Sequence, residues 1–216
     1  MINSLLYLIA SRSDIAFSVG VCARFQAAPK ESHWTAVKRI IHYINDTSDY
    51  GIWYSRDTNE CLPGYFDADW VECIDDRKRT SGGCFYLGNN LVSWMSKKQN
   101  SVSLSMAEAQ YIAAASCYAQ LLWMKNILYD YGITQDTMCV FCDNMSAINL
   151  SKNPVQHSKS KHIKIKYHFI RDLVEEKTVY LEFINIDNQM AEIFTKPLDG
   201  PRFESLRKTI GVGIIP

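Results

Sequence analysis

Asp67, Glu108, Asp143 and Glu192 are acids of the kind that metal-assisted hydrolysis uses, a chemistry that takes an activated water and a sink for the charge that builds on the leaving oxygen. Two divalent cations about 4 Å apart supply both. Hard cations such as Mg²⁺ take carboxylate oxygens, so a site of this kind needs three or four acids converging from separate elements. In this chain Asp67 stands inside Gly64-Tyr-Phe-Asp-Ala-Asp-Trp70, and Asp143 closes the apolar run Met138-Cys-Val-Phe-Cys-Asp143. A carboxylate on such a strand is costly to bury without a partner or a metal. Taken alone, each aspartate reads first as a strand-end residue capping something nearby. Together with Glu108 and Glu192 on intervening helices, they read as a candidate carboxylate centre held by strand ends and adjoining helices.

A partner for such a centre is suggested by charge distribution. The net charge is formally zero, yet Asn144–Arg171 carries Lys152, Lys159, Lys161, Lys164, Lys166 and Arg171, three histidines and no acid. A solvated helix face explains this as well as a polyanion surface does. On the second reading, a groove lined by Lys159, Lys161, Lys164 and Lys166 follows a phosphate backbone without reading sequence. Asn144 and Ser146 are candidates for contacting 2′-hydroxyls, the groups that mark RNA. His157, His162 and His168 lack the cysteines or acids that would complete a zinc site, so phosphate contact or a plain helix surface suits them better. Trp70 and Trp94 read as core residues before stacking platforms.

With 216 residues, 47% of them hydrophobic and 21% charged, the chain has room for one α/β domain and a smaller appended piece. No apolar run approaches the roughly 18 residues of a membrane span. Residues 1–10 lack a basic leader and a cleavage pattern, and read as a buried helix of a non-secreted, intracellular protein. Seven cysteines, an odd set without framework spacing, fit free thiols. Cys139 and Cys142 form a C-x-x-C on a strand, where they face opposite ways and hold no zinc.

Periodicity supplies the elements. Helices are predicted over about 14–27 and from Lys30 to Asn45, the latter with Trp34, Val37, Ile40, Ile41 and Ile44 on one stripe. Strands are predicted at Gly64–Trp70, Gly83–Gly88 and Leu91–Ser96, the last two joined at Gly88-Asn89-Asn90. A helix over 105–130 follows, then a strand at 138–143, a short helix from Met145, a basic helix at 161–176, a strand at 178–185 and an acid-bearing helix at 188–195. Residues 201–210 suit one more helix. A three-strand meander followed by alternating helices and strands implies an α/β (α+β) fold, a mixed sheet covered by helices.

The motifs Phe66-Asp-Ala-Asp-Trp70, Asp76-Arg-Lys-Arg-Thr-Ser-Gly82, Val92-Ser-Trp-Met-Ser-Lys-Lys-Gln99, Ala107-Glu-Ala-Gln-Tyr111, Cys142-Asp-Asn-Met-Ser-Ala147, Lys161-His-Ile-Lys-Ile-Lys-Tyr-His168 and Ala191-Glu-Ile-Phe-Thr-Lys-Pro-Leu198 together resemble the RNase H region of copia-type retrotransposon polyproteins. Leu5-Leu-Tyr-Leu8, Arg12-Ser-Asp-Ile15 and His33-Trp-Thr-Ala-Val-Lys-Arg39 resemble the end of the preceding reverse transcriptase, with Ser13 where proline is usual. The resemblance implies an RNase H-like fold with a mixed five-stranded sheet flanked by helices, preceded by a small helical segment. It divides the chain into a reverse-transcriptase end (1–55), a linker (56–63), the RNase H-like domain (64–199) and a C-terminal helix or tail (200–216). It further implies hydrolysis of RNA in RNA–DNA hybrids with two Mg²⁺ or Mn²⁺ ions, a reverse transcriptase portion as partner, and residence in cytoplasmic retroelement particles.

Among the implied ligands, Asp67 holds both ions, Asp143 binds the one that activates water, and Glu192 stands where aspartate is common. The chain departs from Glu-Ala-Glu-Tyr at Glu108-Ala109-Gln110-Tyr111, and alignment with other RNase H folds makes the second position the ligand. Residues 108 and 110 lie about 200° apart around a helix, so Glu108 does not replace it. A glutamine offers oxygen without charge, so the resemblance allows two outcomes: a hybrid nuclease, or a weak or inactive module that binds hybrid or supports the polymerase. Two decoys are set aside. Cys73-Ile-Asp-Asp76 lacks the aromatic of a polymerase site, and Glu175 or Glu176 with Asp67 and Asp143 lacks the linking motifs of an integrase triad.

Overall fold

Short β-branched and aromatic runs in the middle of the chain pair into one mixed sheet in the computed structural model, which describes residues 1–69, 78–135, 137–152, 172 and 174–215. The strands are β2 (Gly64–Ala68), β3 (Thr80–Leu87), β4 (Asn90–Lys98), β5 (Met138–Cys142) and β6 (Val179–Phe183), after an early strand β1 (Tyr50–Ile52). Their order is β4-β3-β2-β5-β6. The β2–β3 and β3–β4 pairs are antiparallel, whereas β2–β5 and β5–β6 are parallel. This is the mixed five-stranded, helix-flanked sheet of the RNase H-like fold that the resemblance implies.

The helices are α1 (Ile2–Leu8), α2 (Ala16–Ala23), α3 (Glu31–Asp46), α4 (Met106–Asp130), α5 (Met145–Lys152) and α6 (Gly200–Thr209). The long α4 covers one face of the sheet, and Glu108 through Ala115 are buried without a break. That run suits a helix whose first half is walled in on all sides, and its partners Phe66, Phe85, Val140 and Leu181 form the main core. The opposite face carries a second core of Cys84, Tyr86, Leu91, Phe194, Leu206 and Ile210. Alternation along β5 buries Met138, Val140 and Cys142 and leaves Cys139 half-exposed, so the two cysteines do face opposite ways.

Gly88, with φ of +59°, makes the β3–β4 turn in a conformation that a side chain rarely adopts. Segment 56–63 contains no helix or strand, but Gly88 N–H donates to the Cys61 carbonyl (2.7 Å) and Asn89 N–H to Thr58 Oγ1 (2.8 Å).

Several expectations need correction. The 14–27 helix is a 3₁₀ turn (Ser13–Ile15) followed by the shorter α2, and the acid-bearing helix near 188–195 is a 3₁₀ turn at Met190–Phe194. On α3 the buried stripe narrows to Val37 and Ile40, with Trp34 and Ile41 exposed, because α1 and α2 cover just one side of it. The first 55 residues are not purely helical. Tyr50–Ile52 forms an antiparallel pair with β7 (Val212–Ile214), a strand at the other end of the chain that sequence periodicity did not suggest. Trp94 is half-buried against the second core and donates Nε1–H to the Ile9 carbonyl (3.0 Å), as a core residue would. Trp70, Asp76, Lys159, Lys161, Lys164, Lys166, Arg171 and the three histidines of that segment lie outside the described residues.

Candidate active site

Asp67 sits near the carboxyl end of β2, directly opposite Gly82 of β3. At Gly82 an added Cβ would lie 2.6 Å from Thr195 Cγ2 and 2.8 Å from the Ala191 carbonyl oxygen. The glycine therefore lets the Met190–Phe194 turn settle onto the sheet and brings Thr195 to Asp67. From the other face, α4 delivers Gln110. Buried Asp67 is thus held from both sides: Oδ1 accepts Gln110 Nε2–H (2.7 Å) and the Ala68 amide (2.7 Å), and Oδ2 lies 2.7 Å from Thr195 Oγ1. The Thr195 hydroxyl is also 2.9 Å from the Glu192 carbonyl, but its single proton favours the charged partner.

Asp143 follows the end of β5, the strand beside β2. Gln189, which is fully buried, ties Asp143 to the backbone of β2: its Nε2–H₂ donates to the carbonyl of Phe66, the residue before Asp67 (3.0 Å), and, at the edge of bonding range, to Asp143 Oδ1 (3.5 Å). Burial, and then the Asp67 charge, push the Asp143 carboxyl up to about 6. Next to it, Asn144 caps α5 by accepting the Ala147 amide (3.0 Å), and Ser146 is exposed on the same first turn.

Glu192 lies on the turn but is already matched: Oε1 pairs with Lys196 Nζ (2.8 Å) and Oε2 with Arg202 (2.6 Å). Burial works against the Lys196 ammonium, yet its bond to Glu192 and the charges of Glu192, Asp67 and Asp69 outweigh that and raise its pKa. Glu108, expected among the site residues, is not brought to Asp67. Its Oε2 accepts the Leu104 amide (2.7 Å) while Ser105 Oγ accepts the Glu108 amide (3.2 Å), a reciprocal cap on α4.

The structure thus gathers Asp67, Gln110 and Asp143, keeps Glu192 adjacent but ion-paired, and turns Glu108 to another task. Sequence reasoning missed Gln189, Thr195, Lys196 and Arg202; Thr195 and Lys196 stand in a quoted motif, but nothing local marks their roles. Among the described residues no group of three or more His, Cys, Asp or Glu side chains is arranged to hold a metal. Asp67 and Asp143 suit a divalent cation by charge and hardness. A four-carboxylate, two-ion cradle does not fit, because Gln110 turns N–H toward Asp67 and Glu192 is committed to two cations.

No protein-family model matches the chain. A retrovirus-related Pol polyprotein from transposon RE2 of Arabidopsis thaliana is 36% identical over 217 residues, covering 100% of this chain and 15% of that protein. Another, from transposon TNT 1-94 of Nicotiana tabacum, is 37% identical over 212 residues, covering 98% of this chain and 16% of that protein. The chain therefore spans about 15% of the length of these relatives. Among solved structures, LC11-RNase H1 isolated from compost is 16% identical with a TM-score of 0.47, covering 63% of this chain and 93% of that one. Among the described residues no helix is long and apolar enough to cross a membrane.

Proposed function

This chain belongs to the retrovirus-related Pol polyproteins of copia-type transposons, and on that premise we propose that residues 64–199 act as the RNase H domain of such a polyprotein. The substrate is the RNA strand of an RNA–DNA hybrid, and the reverse transcriptase portion of the same polyprotein is the partner, inside intracellular retroelement particles. The observation that carries this reading is the Asp67–Asp143 pair at the ends of adjacent parallel strands, where Asp143 is pushed up to about 6. An Asp143 carboxyl whose charge is disfavoured by burial and by the Asp67 charge beside it is relieved by a cation, and Mg²⁺ or Mn²⁺ suits oxygen ligands. Such a cation, when bound, supplies charge for the leaving oxygen and activates water. Asp67 and Asp143 hold it, Thr195 and Gln189 fix those carboxylates, and Asn144 and Ser146 stand beside them for contact with the RNA strand.

A second reading, a weak or inactive hybrid-binding module, is favoured by the Gln110 Nε2–Asp67 Oδ1 bond, which occupies the oxygen a cation needs. A labelled hybrid separates the two. Weak cleavage in Mg²⁺, raised at least about ten-fold by Gln110→Glu and abolished by Asp143→Asn in that background, supports an impaired nuclease. Brisk cleavage that responds to Glu108→Gln, and not to Gln110→Glu, would make Glu108 the ligand and this reading of the site wrong.

Hybrid binding itself is tested through salt. Replacing Lys159, Lys161, Lys164 and Lys166 with glutamine should flatten the dependence of log affinity on log salt by up to about four units. An unchanged slope would mean that these lysines face away from the groove.

A further inference from the structure

At the acid centre one buried polar atom is left over. Gln110 is 2% exposed, and its Oε1 has no hydrogen-bond partner, although Nε2 of the same amide donates to Asp67. Native proteins rarely leave a buried carbonyl oxygen unmet, and such an atom calls for a water, an ion or another arrangement. An amide exchanges its oxygen and nitrogen on a half-turn about its last side-chain bond. With Oε1 toward Asp67, two oxygens would face each other at the 2.7 Å now spanned by the hydrogen bond, and they would repel unless a cation were shared between them. The charge available for that cation is limited. Of the acids expected as ligands, Glu192 is matched by Lys196 and Arg202, which leaves Asp67 and Asp143 with two negative charges between them.

We propose that this centre takes a single divalent cation, held by Asp67, Asp143 and the Gln110 amide oxygen, and that Gln110 is a two-position ligand. Without the cation it donates to Asp67; with it, the amide turns and presents Oε1. The Lys196 ammonium, acting on Glu192, Asp67 and Asp69, supplies the positive charge that a second ion would bring. The proposal rests on the reading of this site as a hydrolytic centre, and deepens it by fixing the number of ions and the residue that limits it.

Manganese titration of the whole chain, followed by electron paramagnetic resonance, counts the ions. Sites are defined as those removed by Asp67→Asn, which discounts surface ions. One ion is expected in the natural chain and two in Gln110→Glu, with at least about ten-fold weaker binding in Asp143→Asn. The side-chain N–H₂ signals of Gln110, identified by their loss in Gln110→Glu, should shift on saturation with Mg²⁺ as the bond to Asp67 breaks. If Gln110→Glu fails to fold by circular dichroism, the count in the natural chain and the Gln110 signals, the latter then identified by Gln110→Leu, still decide. Two ions in the natural chain, no ion, or an unmoved Gln110 amide at saturating Mg²⁺ overturns the proposal. Ion counting and the Gln110 signals need no turnover, whereas the nuclease reading is decided by cleavage of labelled hybrid, so a failure here is distinguishable from a failure of that reading.

Discussion

Asp143 shows how far a single carboxyl can shape the molecule before any cation is present. An aspartate in an unfolded chain ionises near 4, whereas burial and the neighbouring Asp67 push this one up to about 6. Between those values the folded chain keeps the proton and the unfolded chain has lost it, so this group makes stability fall as pH rises through that window. The loss is about 1–2 kcal/mol once the solvent that still reaches Asp143 is discounted. Other carboxylates pull the opposite way, so the observable is a difference. In chelator, Asp143→Asn should melt above the natural chain at pH 7, and the gap should close near pH 4. A gap that does not change with pH would show that Asp143 is neither buried nor held beside Asp67 in the way described. Asp67 and Asp143 are legible in sequence because an acid in an apolar strand is an anomaly. Gln189 and Thr195 are not, since neutral polar residues raise no such flag and they reach β2 across more than 120 residues of chain.

Elements hold these side chains in place by close approach, and the contact between β3 and the Met190–Phe194 turn is the tightest example. Gly82→Ala would put a methyl against the Ala191 carbonyl, a backbone atom that cannot swing aside, and against Thr195. The expected cost is about 1–3 kcal/mol, together with displacement of the turn and loss of the Thr195–Asp67 bond. Thermal melting checks the cost, and the chemical shift of the Ala191 amide checks the displacement. An alanine variant within about 0.5 kcal/mol of the natural chain would mean that the turn sits loosely on the sheet. Sequence signals were strong for this region where they are local: β-branched runs with a Gly-Asn turn mark the β3–β4 hairpin, and the long apolar stretch over 105–130 marks α4. They failed where an element is defined by what it packs on. The 3₁₀ turn carries the apolar spacing of a helix, but its residues are fixed by the β3 surface, and the α3 stripe is cut short because nothing packs on Trp34 and Ile41 from the far side.

Strands drawn from residues 50–52 and 212–214 meet across the molecule, and this bears on whether it unfolds as one body. Three-residue strands such as β1 and β7 are too short to show a period, so their pairing could not be read in advance. Around them a buried polar node closes the N-terminal helices. Arg12 bonds both Asp14 oxygens (3.0 and 2.8 Å) and Thr47, Tyr43 donates to Asp14 (2.7 Å), and Arg207 from α6 stacks over Tyr50 of β1. Arg24 of the segment after α2 reaches Thr80 of β3 (3.0 Å), and Ala16 is part of the second core. These links tie the segment that resembles a polymerase end to both the sheet and the C-terminal helix. Coupling of that kind predicts a single cooperative transition in denaturant, with near-ultraviolet dichroism and backbone dichroism changing together. Asp14→Asn leaves the Arg12 guanidinium buried without its counter-charge and should cost about 3–5 kcal/mol, felt across the whole transition and not by the N-terminal helices alone. Hydrogen exchange resolves where the loss falls. If Asp14→Asn lowers protection in α1–α3 while β2, β3 and β5 keep theirs, the N-terminal segment is an attached piece with its own stability. An equal fall in both would make residues 1–52 and the RNase H-like sheet one folding unit.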